Sequence, residues 1–300
     1  MIVAVVIAAI VGFGAGWVLS PDGDGGRDTR IMISGSTTLE PLMDEWQKEY
    51  EKDHAVAMYI SGGGSGTGRN NASSGISDIG MASSATSSSS YPTLKEYRVA
   101  YDGVVVVVSK NITLDSLTTA QLKEIFESGS TKTWGDYEGS GSSANIEILV
   151  REDGSGTRDS FNGGVGISGA YRSGALEFNA AGGILNHVNQ NSNCIGYVNM
   201  NSLDMIGAGK QFSDVKAIKV NGVAANADNV KRSQDPDYTA GTAYPLSRSL
   251  FVLVKDGNMT GEIYNLVKWM YGSEAQNIAN SSGFVGLTQK HLNEGLAAVN

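Results

Sequence analysis

The sequence predicts an α/β protein of two lobes, and three observations carry that prediction. Short apolar runs alternate with stretches of helical periodicity along most of the chain, the pattern of a sheet flanked by helices. Three turns rich in glycine, serine and threonine each stand between such a run and a helical stretch. The chain is 300 residues long with 41% apolar residues, too long for one small core and apolar enough for two lobes of ordinary size.

Ile31-Met32-Ile33 reads as the first strand and leads into Gly35-Ser36-Thr37-Thr38. Leu39, Leu42, Met43, Trp46 and Tyr50 then recur at helical spacing, with Pro41 suited to the first turn. Val56, Met58 and Ile60 alternate as a half-buried strand. It runs into Gly62-Gly63-Gly64-Ser65-Gly66-Thr67-Gly68, with a helix expected around Arg69 and Asn70. Residues 79–82 form a third short strand, and the serine-rich run 83–90 reads as a surface loop.

Residues 104–108 are unbroken valine, as in a strand buried on both faces. Leu117, Leu122, Ile125 and Phe126 give an amphipathic helix, and 128–133 a loop. Residues 146–150 are a strand feeding Arg151-Glu152-Asp153-Gly154-Ser155-Gly156-Thr157, after which a helix begins near Arg158. Stretches 182–193 and 207–209 read as turn-rich, and 195–198, 215–220 and 250–254 as strands. Ile263, Leu266, Val267 and Met270 mark one late helix, and residues 291–299 another. The alternation argues for largely parallel sheets.

The three turns share one chemistry. Glycine allows close approach, Ser and Thr supply hydroxyls, and each turn opens toward a helix start whose N–H groups have no partner within the helix. Such a start suits an anion, and the planar fork of Arg151 suits a tetrahedral oxyanion. Asp153, two residues beyond Arg151, is expected to pair with it and fix its orientation.

Several function classes fall away. The net charge of −9 argues against nucleic acid, which asks for a basic face. It does not oppose a buried anion held by neutral donors, since surface fields are screened within about 10 Å. One cysteine, Cys194, excludes an internal disulfide and a cysteine metal cluster, and His54, His187 and His291 lack ligand spacing, so no metal is expected. There is no G-x-x-x-x-G-K-[ST] and no G-x-S-x-G. Gly164-Val165-Gly166-Ile167-Ser168-Gly169 fits G-x-G-x-x-G, but no apolar strand leads into it, so it reads as a chance match. No catalytic residue and no cofactor are expected.

Residues 2–19 are uncharged and nearly long enough to span a bilayer. An uncleaved anchor and a cleaved signal peptide both remain open for 1–19. The missing basic start favours the anchor, with 20–29 as a flexible linker.

Taken in order, Gly35-Ser36-Thr37-Thr38-Leu39-Glu40-Pro41, the 62–68 run, Asp78-Ile79-Gly80-Met81-Ala82-Ser83, residues 117–134, and Arg151 through Phe161 resemble the phosphate-binding proteins of Pst-type ABC importers. Ile195-Gly196-Tyr197-Val198 and Tyr244-Pro245-Leu246-Ser247-Arg248 extend the resemblance, which spans about 31–290. It implies a type II periplasmic-binding-protein fold. Lobe I would be 30–108 plus 249–300 and lobe II 109–248, with hinges near 106–110 and 248–252. It implies phosphate ligands at Thr37, Thr38, Ser65, Ser83, Arg151, Ser155, Gly156 and Thr157, supported by Ser36, Asp78 and Asp153. The partners it implies are inorganic phosphate and the permease of an ABC transporter, at the outer face of the cytoplasmic membrane. Where this family often has a carboxylate to accept the proton of hydrogen phosphate, this chain has Ser83. Glu40, Asp78 and Asp153 are the alternative acceptors. The rival readings are a binding protein for sulfate, molybdate or arsenate, a phosphoester hydrolase, and a signalling or adhesion module on the same scaffold.

Overall fold

The computed structural model describes residues 29–300. The expected anchor and most of the linker therefore lie outside the described residues, while Thr29, expected in the linker, opens the first strand. The chain runs β1 (Thr29–Gly35), α1 (Glu40–Asp53), β2 (Val56–Gly63), α2 (Gly64–Ser74), β3 (Ile79–Ala82) and β4 (Leu94–Ser109). There follow β5 (Ser116–Leu117), α3 (Thr119–Phe126), β6 (Glu147–Arg151), α4 (Gly156–Val165), β7 (Leu176–Phe178), α5 (Ala181–Gln190), β8 (Cys194–Asn199) and β9 (Val215–Val220). The last elements are α6 (Ala227–Gln234), β10 (Ser247–Lys255), α7 (Gly261–Trp269), α8 (Ser273–Ser281) and α9 (Gln289–Val299). Among the described residues no helix is long and apolar enough to cross a membrane.

The strands hydrogen-bond in the order β2-β1-β3-β10-β4-β8-β6-β7, with β9 on β4 and β5 on β9. Within each flank the pairing is parallel: β1 with β2 and β3, and β6 with β7 and β8. Where the flanks meet it is not. β10 runs antiparallel to β3 and β4, and β4 antiparallel to β8 and β9. The expectation of largely parallel sheets therefore holds for the flanks and fails at the two strands that join them. One of these carries the chain out of the first flank and the other brings it back.

β4 is the joining element. Its residues Leu94 to Gly103 pair with β10, and Val104 to Val108 pair with β8. The partner changes at 103–104, where Val104 N–H also bonds Leu246 O just before β10 begins. An all-valine run buried on both faces gives no sign in the sequence of which strand it is beside.

α1 buries Leu42, Met43, Trp46 and Tyr50, one stripe of its surface, and Trp46 Nε1 ties it to Ala275 O at 2.8 Å. The glycine-rich α2 has poor intrinsic propensity and is held by contact instead. A side chain at Gly68 would put its Cβ 2.3 Å from Met81 O and 3.0 Å from Gly35 Cα, so only glycine lets α2 lie directly on β1 and β3. The helix begins inside the glycine run, ahead of the expected start near Arg69. In the second flank Phe161 of α4 stacks on Tyr197 of β8 at 4.1 Å, with Phe126 of α3 edge-on to Phe161. The stretch 182–193 is mostly helix, not turn: α5 buries Ile184, Leu185 and Val188. The G-x-G-x-x-G match spans the end of α4, where Gly166 N–H caps onto Asn162 O.

Candidate anion-binding site

The three turns converge. β1 and β3 run opposite to β6 through the sheet, so their C-terminal ends, with the starts of α1, α2 and α4, face one another across the meeting point of the two flanks. A Cβ built on Gly156 would stand 2.3 Å from the hydroxyl oxygens of both Ser65 and Ser83. Thr38 and Thr157 share a hydrogen bond at 2.8 Å, and Arg151 Nη2 donates to Thr37 Oγ1 at 2.9 Å. Ser36, Thr38, Ser65, Ser83, Arg151, Ser155 and Thr157 are all buried. The cleft is closed at its rim by Gly66 N–H on Gly154 O (3.2 Å) and by Ser160 Oγ donating to Ser83 O (3.0 Å).

Local structure explains each position. Ser36 ends β1, and its Oγ accepts the N–H groups of Thr38 and Leu39, both at 3.3 Å, which turns the chain into α1. The amide of Thr38 is thus bonded to Ser36. Ser155 is the N-cap of α4, its Oγ accepting Arg158 N–H at 3.4 Å. Ser65 in the first turn of α2 accepts Ser83 N–H at 3.0 Å, which draws the end of β3 into the cleft. The loop after it is braced by Arg69, whose Nη2 donates to Ser84 O at 2.9 Å.

These bonds leave the hydroxyls' own hydrogens available as donors. A hydroxyl oxygen that accepts an N–H uses its own hydrogen as a donor elsewhere. Thr37 accepts from Arg151, Ser65 from the Ser83 amide and Ser155 from the Arg158 amide. Arg248 fills the pair Thr38 and Thr157, donating through Nη2 to Thr38 Oγ1 at 3.3 Å and through Nη1 to Thr157 Oγ1 at 2.9 Å. Whichever threonine donates to the other, one hydrogen of the pair remains for a third partner. Ser83 differs. Its Oγ meets Ser65 Oγ at 3.3 Å and, among the described residues, takes no N–H.

Two guanidiniums serve the cleft, where one was expected. Arg248, on β10, is buried against Asp102 of β4, with Nε at 3.0 Å and Nη2 at 2.5 Å from Asp102 Oδ2. Burial pulls its pKa below the usual arginine value while Asp102 opposes the fall, so the group stays cationic at neutral pH. Arg248 was legible only as part of the Tyr244–Arg248 motif. The sharper signal was Asp102, an acid two residues before the all-valine run of β4, whose burial calls for a cation. Arg151 is held by Glu152 at 2.7 and 2.8 Å and by Asn179 O at 3.0 Å, through Nε and Nη2. Among the described residues Nη1 makes no hydrogen bond.

Asp153 does not hold Arg151. β6 ends at Arg151, so the alternation that would put Asp153 on the same face no longer applies; Asp153 is exposed and Glu152 takes its place. Asp78 is also displaced. It sits at the start of β3, where it accepts Met32 N–H, at the opposite end of the strand from Ser83. Of the three alternative carboxylates Asp153 is in the third turn but exposed, while Glu40 lies beside the second turn, bonded to the Gly62 amide, with its pKa raised by burial and then by Asp44.

Comparison with known proteins agrees with this geometry. The family profile described as a PBP superfamily domain matches residues 20–274. The chain belongs to the PBP superfamily. Within that superfamily it groups with the PstS-like proteins. A phosphate-binding protein PstS of Staphylococcus epidermidis is 29% identical over 269 residues, covering 85% of this chain and 78% of that protein. The crystal structure of a putative phosphate ABC transporter substrate-binding protein with bound phosphate from Clostridium perfringens is 30% identical. It covers 86% of this chain and 100% of that one, at a TM-score of 0.75. An ABC-type phosphate transport receptor from Vibrio cholerae, 26% identical, covers 85% of this chain and 99% of that one at 0.70. The family is one of transporter substrate-binding proteins, not of enzymes.

Proposed function

We propose that this PBP-superfamily chain captures inorganic phosphate in the cleft and delivers it to the permease of an ABC transporter. The observation that carries the reading is the loading of the hydroxyls: nearly every hydroxyl oxygen in the cleft accepts an N–H, which leaves its own hydrogen available to a common acceptor. A phosphate oxyanion, rich in lone pairs, is the complement of such a set. The relatives named for phosphate binding support the same ligand.

In this reading Thr37, Ser65, Ser155 and one member of the pair Thr38 and Thr157 donate hydroxyls, Gly156 leaves room for the anion, and its amide with that of Thr157 donates from the start of α4. Arg151 contributes its free Nη1 edge. Arg248 polarises the threonine pair. Each guanidinium is half neutralised by its carboxylate, so the anion is held without being trapped. Ser83, the hydroxyl that takes no N–H among the described residues, accepts the proton of hydrogen phosphate. The two flanks of the sheet act as lobes, closing about the crossing of β4 and β10. No bond of the ligand is broken. The protein works at the outer face of the cytoplasmic membrane, with residues 2–19 as its membrane attachment.

Calorimetry on the full chain tests this. Phosphate should bind at micromolar concentration or below, and Arg151→Ala should abolish the heat. Sulfate, offered in competition, should bind more weakly, because it has no proton to give Ser83. Absence of heat with phosphate, or sulfate binding more tightly than phosphate, would sink the proposal.

A further inference from the structure

The second flank carries a cluster that the phosphate reading does not use. Glu147 and Cys194 are register partners at the starts of the parallel strands β6 and β8, and His187 lies in the last turn of α5 above them. One ligand atom from each, a carboxylate oxygen, Cys194 Sγ and a ring nitrogen of His187, lie within 4.8 Å of one another. Glu147 Oε2 is 3.0 Å from Cys194 Sγ and 2.9 Å from His187 Nε2. We propose that Glu147, His187 and Cys194 form a binding site for a borderline divalent transition metal, with zinc the best fit.

The donor set decides the metal class. One thiolate, one imidazole and one carboxylate match zinc, while hard cations such as calcium or magnesium avoid sulfur. Zinc bonds of about 2.0–2.3 Å in a tetrahedron set the donors roughly 3.5 Å apart. The two carboxylate edges present here open by about half an ångström to reach that, and the Cys194–His187 edge, within 4.8 Å, adjusts with them. On binding, the metal takes the Cys194 sulfur in place of its proton, which leaves to solvent. The site is reachable: the Glu147 side chain is 41% and the His187 side chain 24% exposed, whereas Cys194 is fully buried. Water can therefore enter from the Glu147 side and supply the fourth ligand. The backbone below is fixed, with Cys194 N–H on Ser109 Oγ at 3.0 Å.

The site lies about 13 Å from Arg151, four residues along β6 at ~3.3 Å each. It joins two strands and a helix of the same flank, so its role is to lock that flank, independently of the anion cleft. Sequence spacing concealed it, because the ligands sit on separate elements and meet only through the parallel pairing.

The test uses the full chain in phosphate-free buffer. Cobalt chloride should produce the thiolate-to-cobalt charge-transfer absorption at one metal per chain. Zinc chloride should displace the cobalt and raise the thermal midpoint, reversibly with a chelator. Cys194→Ser should abolish the absorption, and His187→Gln should weaken binding by more than the roughly tenfold that loss of even an outer-shell partner costs. Phosphate titrations should be unchanged in both variants, which separates this site from the cleft. No charge-transfer absorption from the wild-type chain overturns the proposal, whether or not either variant folds. Equal metal affinity in the wild type and the variants overturns it as well.

Discussion

A methyl group on Gly156 would stand 2.3 Å from two hydroxyl oxygens that belong to different elements, Ser65 in α2 and Ser83 after β3. Gly156→Ala should therefore fill the cleft while leaving α4 intact, since alanine is a better helix former than glycine. Phosphate affinity should fall roughly 10- to 100-fold, the equivalent of the ~1–3 kcal/mol typical of overpacking. The urea midpoint should stay near that of the wild type. Calorimetry and an unfolding curve on one sample decide it, and undiminished affinity would show that the three turns do not share a ligand. The residues behind this prediction were readable from sequence because each stands in a short motif at a strand end. What could not be read was the pairing of charges. The choice between Glu152 and Asp153 depends on the residue at which β6 stops, and Arg248 meets Thr38 and Thr157 only after the chain has returned through β10.

At the scale of elements, the return strand and the joining strand are tied by Arg248 and Asp102, both buried. Asp102→Asn would leave a buried guanidinium without its counter-charge, and loss of one partner from such a pair costs about 3–5 kcal/mol. The same change removes the Oδ oxygens' negative charge from the Met200 amide (3.0 Å). Chemical unfolding should show a loss of that size, and a change below about 1 kcal/mol would mean that solvent reaches the pair. A second contact to β4 is sensitive to pH. His291 of α9 bonds the Tyr101 hydroxyl, and burial first, then Arg98, depress its pKa below 6.5, outweighing Glu294 and Asp235. Since the unfolded chain takes up the proton more readily, this contribution is complete above 6.5 and is lost as the pH falls through 6.5 toward the folded value. Urea midpoints measured from about pH 7.5 to about 5 should drop more steeply for the wild type than for His291→Gln; identical profiles would remove His291 as a cause. Many elements were visible as apolar periodicity, but α5, α6, α8, β7 and the first half of β4 were not, and Leu117, expected in a helix, lies in β5. Gly182 and Gly183 open α5 and imitate a turn, although Ile184, Leu185 and Val188 bury its face. Leu94 to Gly103 carries Lys95, Glu96, Arg98 and Asp102, polar residues that break the alternation of a strand whose later half is pure valine.

For the molecule as a whole, a chain of net charge −9 that binds an anion must do so against its own field or independently of it. The cleft argues for independence. Its charges are paired within themselves, Arg151 with Glu152 and Arg248 with Asp102, and its remaining donors are neutral hydroxyls and amides. The side-chain contacts bridging the cleft rim include Ser84 Oγ on Asp159 at 3.3 Å and Arg69 near Asp159 at 3.9 Å. Raising sodium chloride from about 0.1 M to about 1 M shortens the screening length from ~10 Å to ~3 Å, which removes the surface field but not a contact at hydrogen-bond distance. Phosphate affinity of the full chain should therefore change by less than about threefold, under ~0.7 kcal/mol, across that range. A basic surface patch would behave differently, losing affinity steeply with salt. If calorimetry at the two salt concentrations differed by tenfold or more, the anion would be held by exposed charge, and the paired, buried arginines of this cleft would not be its ligands.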